Sequence, residues 1–456
     1  MIRFPYLLFA VTTASLCSVQ AAPAPATAVN PQLQKKLQDI LRNMVKVGSD
    51  DFYDAAVLVL DATGDESSFL PMMEKAAADG SSAAQYWLAA QRLPFVEPGS
   101  QKFKDVMVLL DKAVKGKYSP ALILRAQIKT QLGDTDGAMA DLMEACRFGN
   151  PKARAIYLMQ SGRLSSGDYT LPEIASELSK NNFYLEEIIA NFQTTDEAAY
   201  KWMRRASDHG SPTAACILSQ IPDRDAVDAL GDLKLAAERH NVLAIYTYGL
   251  FRYQGDTVCE GYQNNPQEAK RYLQLAAMLG SPEAAASLAE FYAIGNFEGA
   301  SPARIYRLFE FAARYGLPNA IAGVGYCKVL GAGGERDVES GLKMMMYARD
   351  KGDLWVNRAL ASLYFNGCPG VKPDLRKALD YLSADAVQGG VYSYAIAAGL
   401  AAVGTSEDPP DPSMSAYYLD SVMQIPEIAD AARRVYDIIV TTKEWHFMPN
   451  LENAAK

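Results

Sequence analysis

The residues of this chain best placed for covalent chemistry are a serine and a lysine three positions apart. Ser340-Gly341-Leu342-Lys343 matches S-x-x-K, the spacing that sets a serine nucleophile beside a lysine in enzymes that open β-lactam rings. Such enzymes carry further motifs, and the sequence contains no K-T-G. Ser340 is therefore expected near a helix start, where its hydroxyl caps a free backbone N–H.

The three histidines are the next candidates, because imidazole serves both as a general base and as a metal ligand. His209 and His240 are predicted near equivalent helix ends, where they could be neighbours, and His446 lies near the C-terminus. No further ligands occur at a suitable spacing, so the sequence predicts no metal site and no cofactor. A histidine at a helix C-terminus is explained by its favourable interaction with the helix dipole.

A glycine-rich stretch, Gly331-Ala332-Gly333-Gly334, could be mistaken for a phosphate cradle. A cradle of that kind follows a strand, whereas this stretch falls between two helical patterns and reads as a turn. The motifs H-E-x-x-H, G-x-S-x-G and Walker A are absent from the sequence. We therefore predict no catalytic residue and a protein that is not an enzyme.

Composition supports a folded, acidic protein. Of the 456 residues, 49% are hydrophobic and 21% are charged, which is enough apolar material for a core. The formal net charge is −9, so nucleic acid and anionic membrane surfaces are disfavoured as the main partner.

The first residues resemble a targeting segment. Arg3 precedes an apolar run over residues 4–17 that is too short to span a bilayer, and Val19-Gln20-Ala21 ends in small residues that suit cleavage. We predict a signal peptide over residues 1–21 and an Ala/Pro-rich linker over residues 22–31, with an uncleaved anchor as the alternative. The mature protein is then exported to the periplasm or secreted, without a stable membrane span.

Five cysteines remain after that cleavage, and none of them forms a C-x-x-C pair. The sequence therefore shows no zinc or disulfide framework, and most of these residues are expected to pack as small hydrophobic side chains. Any disulfide pairing is left open. The five are Cys146, Cys216, Cys259, Cys327 and Cys368.

A short pattern, Gly-x-Pro-x-Ala after an apolar run, recurs along the chain. Its clear copies begin at Gly149, Gly210, Gly280 and Gly316. Weaker copies lie at Gly80, Tyr118, Asn182, His240, Gly352, Gly389 and Gln424. From 80 to 424 the chain makes ten steps over 344 residues, or 34.4 residues a step, a period typical of helix–turn–helix repeats.

The pattern also has a mechanical explanation. A glycine just past a helix can take the left-handed conformation that ends it, and a proline two residues later suits the first turn of the next helix. After Gly280, the residues Ala284, Leu288 and Tyr292 are four apart, which predicts one buried stripe.

A second breaker cluster lies inside the repeat, where Gly367 and Gly370 separate two helical patterns. The sequence around it runs Leu360-Ala361-Ser362-Leu363-Tyr364-Phe365-Asn366-Gly367, then Gly370-Val371, Asp374 and Lys377-Ala378. This arrangement closely resembles the Sel1-like repeat, a relative of the tetratricopeptide repeat. A second good copy begins at Tyr248-Gly249 and ends at Gly280.

The resemblance implies an all-α fold, an α/α superhelical solenoid of Sel1-like, tetratricopeptide-like helix pairs. We expect degenerate repeats over residues 32–195, Sel1-like repeats over 196–390, and a terminal repeat with a capping helix over 391–456. The long gap between Gly149 and Gly210 is best split at Asn182, into helices over 172–180 and 183–192. An extra helix is predicted over Pro31–Val47 and a capping helix over 426–441.

The 25 tyrosines divide into two groups. One group falls at repeat positions that are expected to pack: Tyr246, Tyr292, Tyr326 and Tyr364. The other has no repeat role and is a weak candidate for a binding surface, since tyrosine is enriched at interfaces: Tyr392, Tyr394, Tyr417 and Tyr418.

Three functions remain open at this point. The resemblance favours a non-catalytic scaffold or adaptor that binds a protein partner through the solenoid surface. The alternatives are an enzyme or inhibitor that acts on β-lactams or cell-wall components, because some cysteine-rich Sel1-like proteins have been linked to β-lactam binding, and a glycan binder. A deep polar pocket with converging titratable groups favours an enzyme, and a shallow groove favours the adaptor.

Overall fold

A computed structural model describes residues 30–164, 167–221, 226–255, 263–353, 355–390 and 392–455. The predicted signal peptide, most of the linker, and Cys259 lie outside these residues. Within them the fold is all-α, and the single β feature is an isolated bridge between Cys368 and Val371.

The helices run, in chain order, as α1 Pro31–Val47, α2 Tyr53–Thr63, α3 Phe69–Ala78, α4 Ser82–Arg92, α5 Gln101–Lys115, α6 Ser119–Gln131, α7 Thr135–Arg147, α8 Pro151–Gln160, α9 Pro172–Leu178, α10 Phe183–Asn191, α11 Asp196–Asp208, α12 Pro212–Ser219, α13 Ala226–Glu238, α14 Val242–Gln254, α15 Pro266–Met278, α16 Pro282–Ala293, α17 Pro302–Ala313, α18 Pro318–Leu330, α19 Val338–Asp350, α20 Trp355–Asn366, α21 Leu375–Val387, α22 Ser393–Val403, α23 Pro412–Met423, α24 Ala429–Thr442 and α25 Pro449–Ala455. Short 3₁₀ turns follow α2 at Glu66–Ser68 and α4 at Leu93–Phe95.

From α4 to α23 the helices form ten successive pairs, each with a first and a second helix. The predicted helix Pro31–Val47 is found with those bounds, and the gap at Asn182 separates α9 from α10 as expected. The predicted capping helix begins three residues late, at Ala429, because residues 426–428 form a turn.

The joints between pairs follow the mechanism expected from the glycine pattern. Gly280 has φ +101°, its N–H donates to the Ala277 carbonyl, and the Ser281 N–H donates to the Ala276 carbonyl. These bonds close the last turn of α15 in the manner of a Schellman motif. Gly149, Gly210 and Gly316 also have positive φ.

Two weaker copies of the pattern are displaced by one residue. The left-handed residues are Lys117 and Asn181, and the following Tyr118 and Asn182 lie at the N-caps of α6 and α10. At the C-terminal end, Gln424 has φ −76° and is not left-handed.

The turn inside the repeat is visible between α20 and α21. Gly367 and Gly370 have φ of +67° and +95°, and Cys368 and Val371 exchange backbone hydrogen bonds between them. The Asp374 side chain then accepts the Lys377 N–H at 3.0 Å and caps α21. The glycines of the repeat signature therefore form the turn, and its aspartate caps the helix that follows.

The chain divides after Ser281 into two compact units. Unit 1 contains α1 to α15 and unit 2 contains α16 to α25. In unit 2 the predicted stripe is buried, since Ala284, Leu288 and Tyr292 are each 0% exposed. Among the helices that the structure describes, none has both the length and the apolar character of a bilayer span.

Candidate interaction surfaces

Ser340 and Lys343 are not arranged as a nucleophile and its activating lysine. The Ser340 N–H is capped by the Asp337 side chain at 3.0 Å, so the expected capping role of the serine hydroxyl is wrong and Asp337 performs it. Lys343 Nζ lies 2.6 Å from Glu339, and this hydrogen bond raises the pKa of Lys343. The lysine near the serine hydroxyl is Lys328, at 3.5 Å.

Each of the three histidines is paired with a different carboxylate. His209 lies 2.9 Å from Glu186, His240 lies 2.6 Å from Asp51, and His446 lies 2.6 Å from Glu452. His209 also ends α11, as the helix-dipole argument expected. Among the described residues, no three His, Cys, Asp or Glu side chains form a group that could hold a metal ion.

The described cysteines are poor nucleophiles, because burial raises the pKa of each thiol. Burial raises the pKa of Cys216 to about 11 and that of Cys327 to about 12, and it also raises the pKa of Cys146 and Cys368. A reactive cysteine needs a lowered pKa, because the thiolate is the nucleophile. All four are free thiols.

Two acids of unit 2 are the best remaining candidates for proton transfer. Burial raises the pKa of Asp353 to about 6, although the Trp355 N–H donates to its carboxylate at 3.1 Å. Burial also raises the pKa of Glu290, which accepts a hydrogen bond from Asn319 at 2.8 Å. A raised carboxyl pKa is common at active sites and also in structural clusters, so alone it defines no reaction.

The tyrosines follow the predicted division only in part. Tyr292 and Tyr326 are fully buried, whereas Tyr246 and Tyr364 are half-buried. In the second group Tyr418 is 5% exposed, and its hydroxyl lies 2.9 Å from that of Ser383. Tyr392 and Tyr417 are exposed, and Tyr394 stacks on Tyr418 at 5.8 Å between ring centroids.

Unit 1 holds a stretch of its own chain, residues 48–53, against the starts of several first helices. Tyr118 donates its hydroxyl proton to the Ser49 carbonyl, and Asn150 donates to the Gly48 carbonyl at 3.4 Å. We call the surface formed by Tyr118, Asn150, Lys152 and His240 the unit 1 groove. It binds both backbone and side chains of the stretch between α1 and α2.

Charge and ring contacts fix the rest of this stretch in the unit 1 groove. Lys152 Nζ lies 3.0 Å from Asp50, and the Tyr53 ring stacks on His240 with 3.8 Å between centroids. Burial alone would lower the pKa of Lys152, but the charge of Asp50 raises it above its ordinary value. Lys152 therefore stays protonated and is suited to ion pairing.

A shallow depression of about 600 Å³ lies on the second helices α11 and α13 of unit 1. Tyr200 and Val227 are exposed there, at 39% and 69%. Arg204 lies beside them, 5.8 Å from the Tyr200 ring, and makes two hydrogen bonds of 3.0 and 3.1 Å with Asp232. We call this the α11–α13 depression; Lys234 and Glu238 add one charge of each sign to its lining.

Unit 2 holds the C-terminal segment of the chain, residues 445–452, against α16, α18 and α20. We call the binding surface the unit 2 groove; it is formed by Tyr292, Tyr326, Trp355, Arg358, Ser362 and Asn366. Glu452 is 6% exposed, and its carboxylate accepts hydrogen bonds from Tyr326 at 2.5 Å and from Ser362 at 3.0 Å.

The remaining contacts of Glu452 come from its own segment and from Asn366. The Phe447 and Met448 N–H groups donate to it at 3.0 Å, and Asn366 donates at 3.2 Å. Burial alone would raise the pKa of Glu452, but hydrogen bonds from His446, Tyr326 and Met448 lower it below its ordinary value. The buried carboxylate is therefore ionised and well satisfied.

Comparison with known proteins gives only structural similarities. No protein-family model matches the chain, and no curated protein matches it significantly. A protective antigen of uropathogenic Escherichia coli with an SLR fold is 18% identical, covers 85% of this chain and 79% of its own, and has a TM-score of 0.40. A Sel1 repeat protein from Oxalobacter formigenes is 23% identical, covering 52% and 99%, with a TM-score of 0.36. Yeast Tom70 is 14% identical, covering 93% and 91%, with a TM-score of 0.31.

The repeat signature and the helix-pair geometry together define the fold. The fold is an all-α solenoid of tetratricopeptide-like helix pairs, and the sequence signature of its turns resembles the Sel1-like repeat. Gly280, Gly367 and Gly370 have positive φ at the positions where the repeat pattern predicts turns.

Sequence reasoning missed the two stretches of the chain that occupy the grooves. Asp50, Asp51 and Glu452 were not singled out, since single acids carry no motif. A signal was present for α25: Pro449 suits a first helical position, and Met448 and Leu451 are three residues apart.

Proposed function

We propose that this protein is an exported, non-catalytic scaffold that binds a protein partner through the surface of its repeat solenoid. The observation that carries the proposal is the α11–α13 depression. Tyr200, Val227 and Arg204 stand together there, exposed or half-exposed, beside charges of both signs. Tyrosine and arginine at the centre of a patch are typical of residues that dominate binding energy in protein interfaces.

The chemistry of the depression fits a protein surface better than other partners. Arg204 and Lys234 are balanced by Asp228, Asp232 and Glu238, so the depression offers no basic surface for a phosphate backbone. It is also open, whereas sites for small molecules enclose most of the ligand. A shallow surface supports the adaptor hypothesis, which expects a shallow groove and no deep polar pocket.

The proposal that the protein is not catalytic rests on the protonation states of its candidate nucleophiles and bases. The cysteines Cys216 and Cys327 are protonated at neutral pH, because burial raises their pKa. Lys152 and Lys343 stay charged beside carboxylates, so neither is available as a base or as a nucleophile. No observation favours the alternative of a β-lactam- or cell-wall-directed enzyme.

Export is proposed from the sequence alone. The apolar run over residues 4–17 and the small residue Ala21 form the pattern of a cleavable signal peptide. We expect N-terminal sequencing of protein recovered from its native host to begin at Ala22. A protein that retains Met1 contradicts this part of the proposal.

The binding surface is tested with a matched pair of variants. Val227→Arg places a charge in the α11–α13 depression, and Val387→Arg places the same charge on α21, where Val387 is 79% exposed. We expect Val227→Arg to reduce recovery of an envelope partner, cross-linked in the native host, by about tenfold or more, and Val387→Arg to leave it unchanged.

A second pair repeats the test without adding charge. Tyr200→Ala removes a ring from the depression, and Tyr417→Ala removes an exposed ring from α23. Loss of the partner in both members of a pair, or in neither, would show that the depression is not the binding surface.

A further inference from the structure

The unit 2 groove is suited to receive a carboxylate. Tyr326 and Ser362 are 0% and 1% exposed, and both hydroxyls donate to the same oxygen of Glu452. Asn366 donates to the other oxygen. These three donors come from two first helices, α18 and α20. Without the carboxylate, the buried hydroxyls of Tyr326 and Ser362 would lose a shared acceptor at a cost in free energy.

The groove also recognises an aromatic ring five residues before that glutamate. Phe447 stacks on Trp355 with 5.5 Å between ring centroids, and the Arg358 guanidinium lies 5.6 Å from the Phe447 ring. Between the two anchors, Met448 and Leu451 are buried at 1% and 0% exposure. The recognised feature is therefore a short peptide of defined chemistry: an aromatic residue, two apolar residues and a glutamate.

Backbone contacts hold the peptide in register. Asn366 donates to the Trp445 carbonyl at 2.8 Å, and the Phe447 N–H donates to the Ser362 hydroxyl at 3.3 Å. On the other side, Asn450 donates to the Tyr292 carbonyl of α16 at 2.6 Å. All of these contacts are made by residues 445–452 themselves, so a separate peptide with the same side chains could make them too.

The connection itself is short and exposed. Residues 441–444 are exposed, and Lys443 has φ +58°, a conformation that residues other than glycine adopt at a cost. The helix α25 has seven residues, too few to be stable without the groove. The segment is thus a tethered ligand, favoured by an effective concentration of roughly millimolar that a short linker supplies.

We propose that the unit 2 groove is a binding site for an acidic peptide of a partner protein, with an aromatic residue five positions before a buried glutamate, and that residues 445–452 occupy it until such a peptide displaces them. This rests on the scaffold function proposed above and adds a second surface and the chemistry of its ligand. The partner peptide must carry the glutamate, because Tyr326, Ser362 and Asn366 all donate hydrogen bonds to its carboxylate.

The test uses full-length chains and a labelled synthetic peptide with the sequence of residues 443–453. Glu452→Gln weakens the tethered segment, so we expect the peptide to bind this variant at least about tenfold more tightly than the wild type. The same peptide with glutamine at the position of Glu452, and Glu444 unchanged, should bind at least about tenfold more weakly. In the Glu452→Gln chain, a second substitution, Tyr326→Phe, should reduce binding of the unmodified peptide. The control substitution Tyr347→Phe, on the exposed face of α19, should leave that binding unchanged.

Three results would overturn the proposal. One is no saturable binding to a Glu452→Gln chain whose circular dichroism matches the wild type. Another is equal binding of the glutamate and glutamine peptides. The third is a wild-type chain that dimerises with concentration and loses the dimer on Glu452→Gln, since the segment would then be exchanged between copies. Failure here leaves the α11–α13 test unaffected, because Val227 takes no part in peptide binding.

Discussion

Lys152 Nζ lies 3.0 Å from the Asp50 carboxylate, although 102 residues separate the two along the chain. Both side chains are about one-third exposed, so water screens the pair only partly. The contact fastens residues 48–53 to the start of α8, and it belongs to a surface that also includes Tyr118 and His240.

The coupling between these two residues is measurable. In a double-mutant cycle of Asp50→Asn and Lys152→Met, we expect a coupling energy of about 1 kcal/mol from urea unfolding. The exposed pair Glu197 and Lys201 on α11 serves as the control and should give a smaller coupling energy, because solvent screens it more strongly. Equal values for the two pairs would mean that the unit 1 groove contributes no more than a surface ion pair.

Left-handed glycines at the joints should resist substitution. Gly210 has φ +106° and open space within 4 Å of the point where a Cβ would lie, so Gly210→Ala tests backbone strain alone and should cost about 1–2 kcal/mol. Gly231, inside α13, also has open space but ordinary helical φ, and Gly231→Ala should stabilise by up to about 1 kcal/mol. Thermal melting measures the change in stability of each variant. Changes of the same sign would contradict the left-handed conformation of Gly210.

The stability contributed by Glu452 should depend on pH. Its pKa is lowered in the folded protein, so its contribution is complete above the ordinary value of 4.5 and is lost as the pH falls through the lowered pKa. At neutral pH we expect Glu452→Gln to reduce the free energy of unfolding by about 1.5–3 kcal/mol. Melting temperatures of the two proteins should converge below pH 4.5; a difference that stays constant would contradict an ionised, paired Glu452.

Ser340 should be unreactive and Asp337 should be the important cap. A fluorescent penicillin is expected to label neither the wild type nor Ser340→Ala. Asp337→Ala should cost about 1 kcal/mol, since it removes the acceptor of the Ser340 N–H. Labelling of the wild type that disappears in Ser340→Ala would revive the enzyme hypothesis.

Local rules predicted the local features of the fold. The bounds of α1, the split at Asn182 and the buried stripe of α16 follow from proline, glycine and apolar spacing within a few residues. At two joints the left-handed residues, Lys117 and Asn181, lie one position before the predicted Tyr118 and Asn182, where neither position is a glycine that marks the helix end.

The sequence alone does not predict the candidate interaction surfaces. The contacts of Asp50 and Glu452 join parts of the chain that are 102 and 126 residues apart, and no periodicity relates them. The α11–α13 depression joins residues of two neighbouring repeats, where solenoid surfaces vary freely. Motif searches detect chemistry confined to one segment, and these surfaces are assembled from several.

The contacts of the segment that follows α1 have a consequence for how unit 1 folds. Asp51 meets His240 across 189 residues, and Asp61 meets Arg271 across 210. In an array where each repeat contacts only its neighbours, folding can nucleate anywhere, and a terminal repeat is coupled directly only to the repeat next to it. In unit 1, by contrast, the contacts of the segment after α1 can form only when helices near residues 240 and 271 are in place. These long-range contacts raise the contact order, which should slow folding. They should also make the two ends of unit 1 unfold in one cooperative transition.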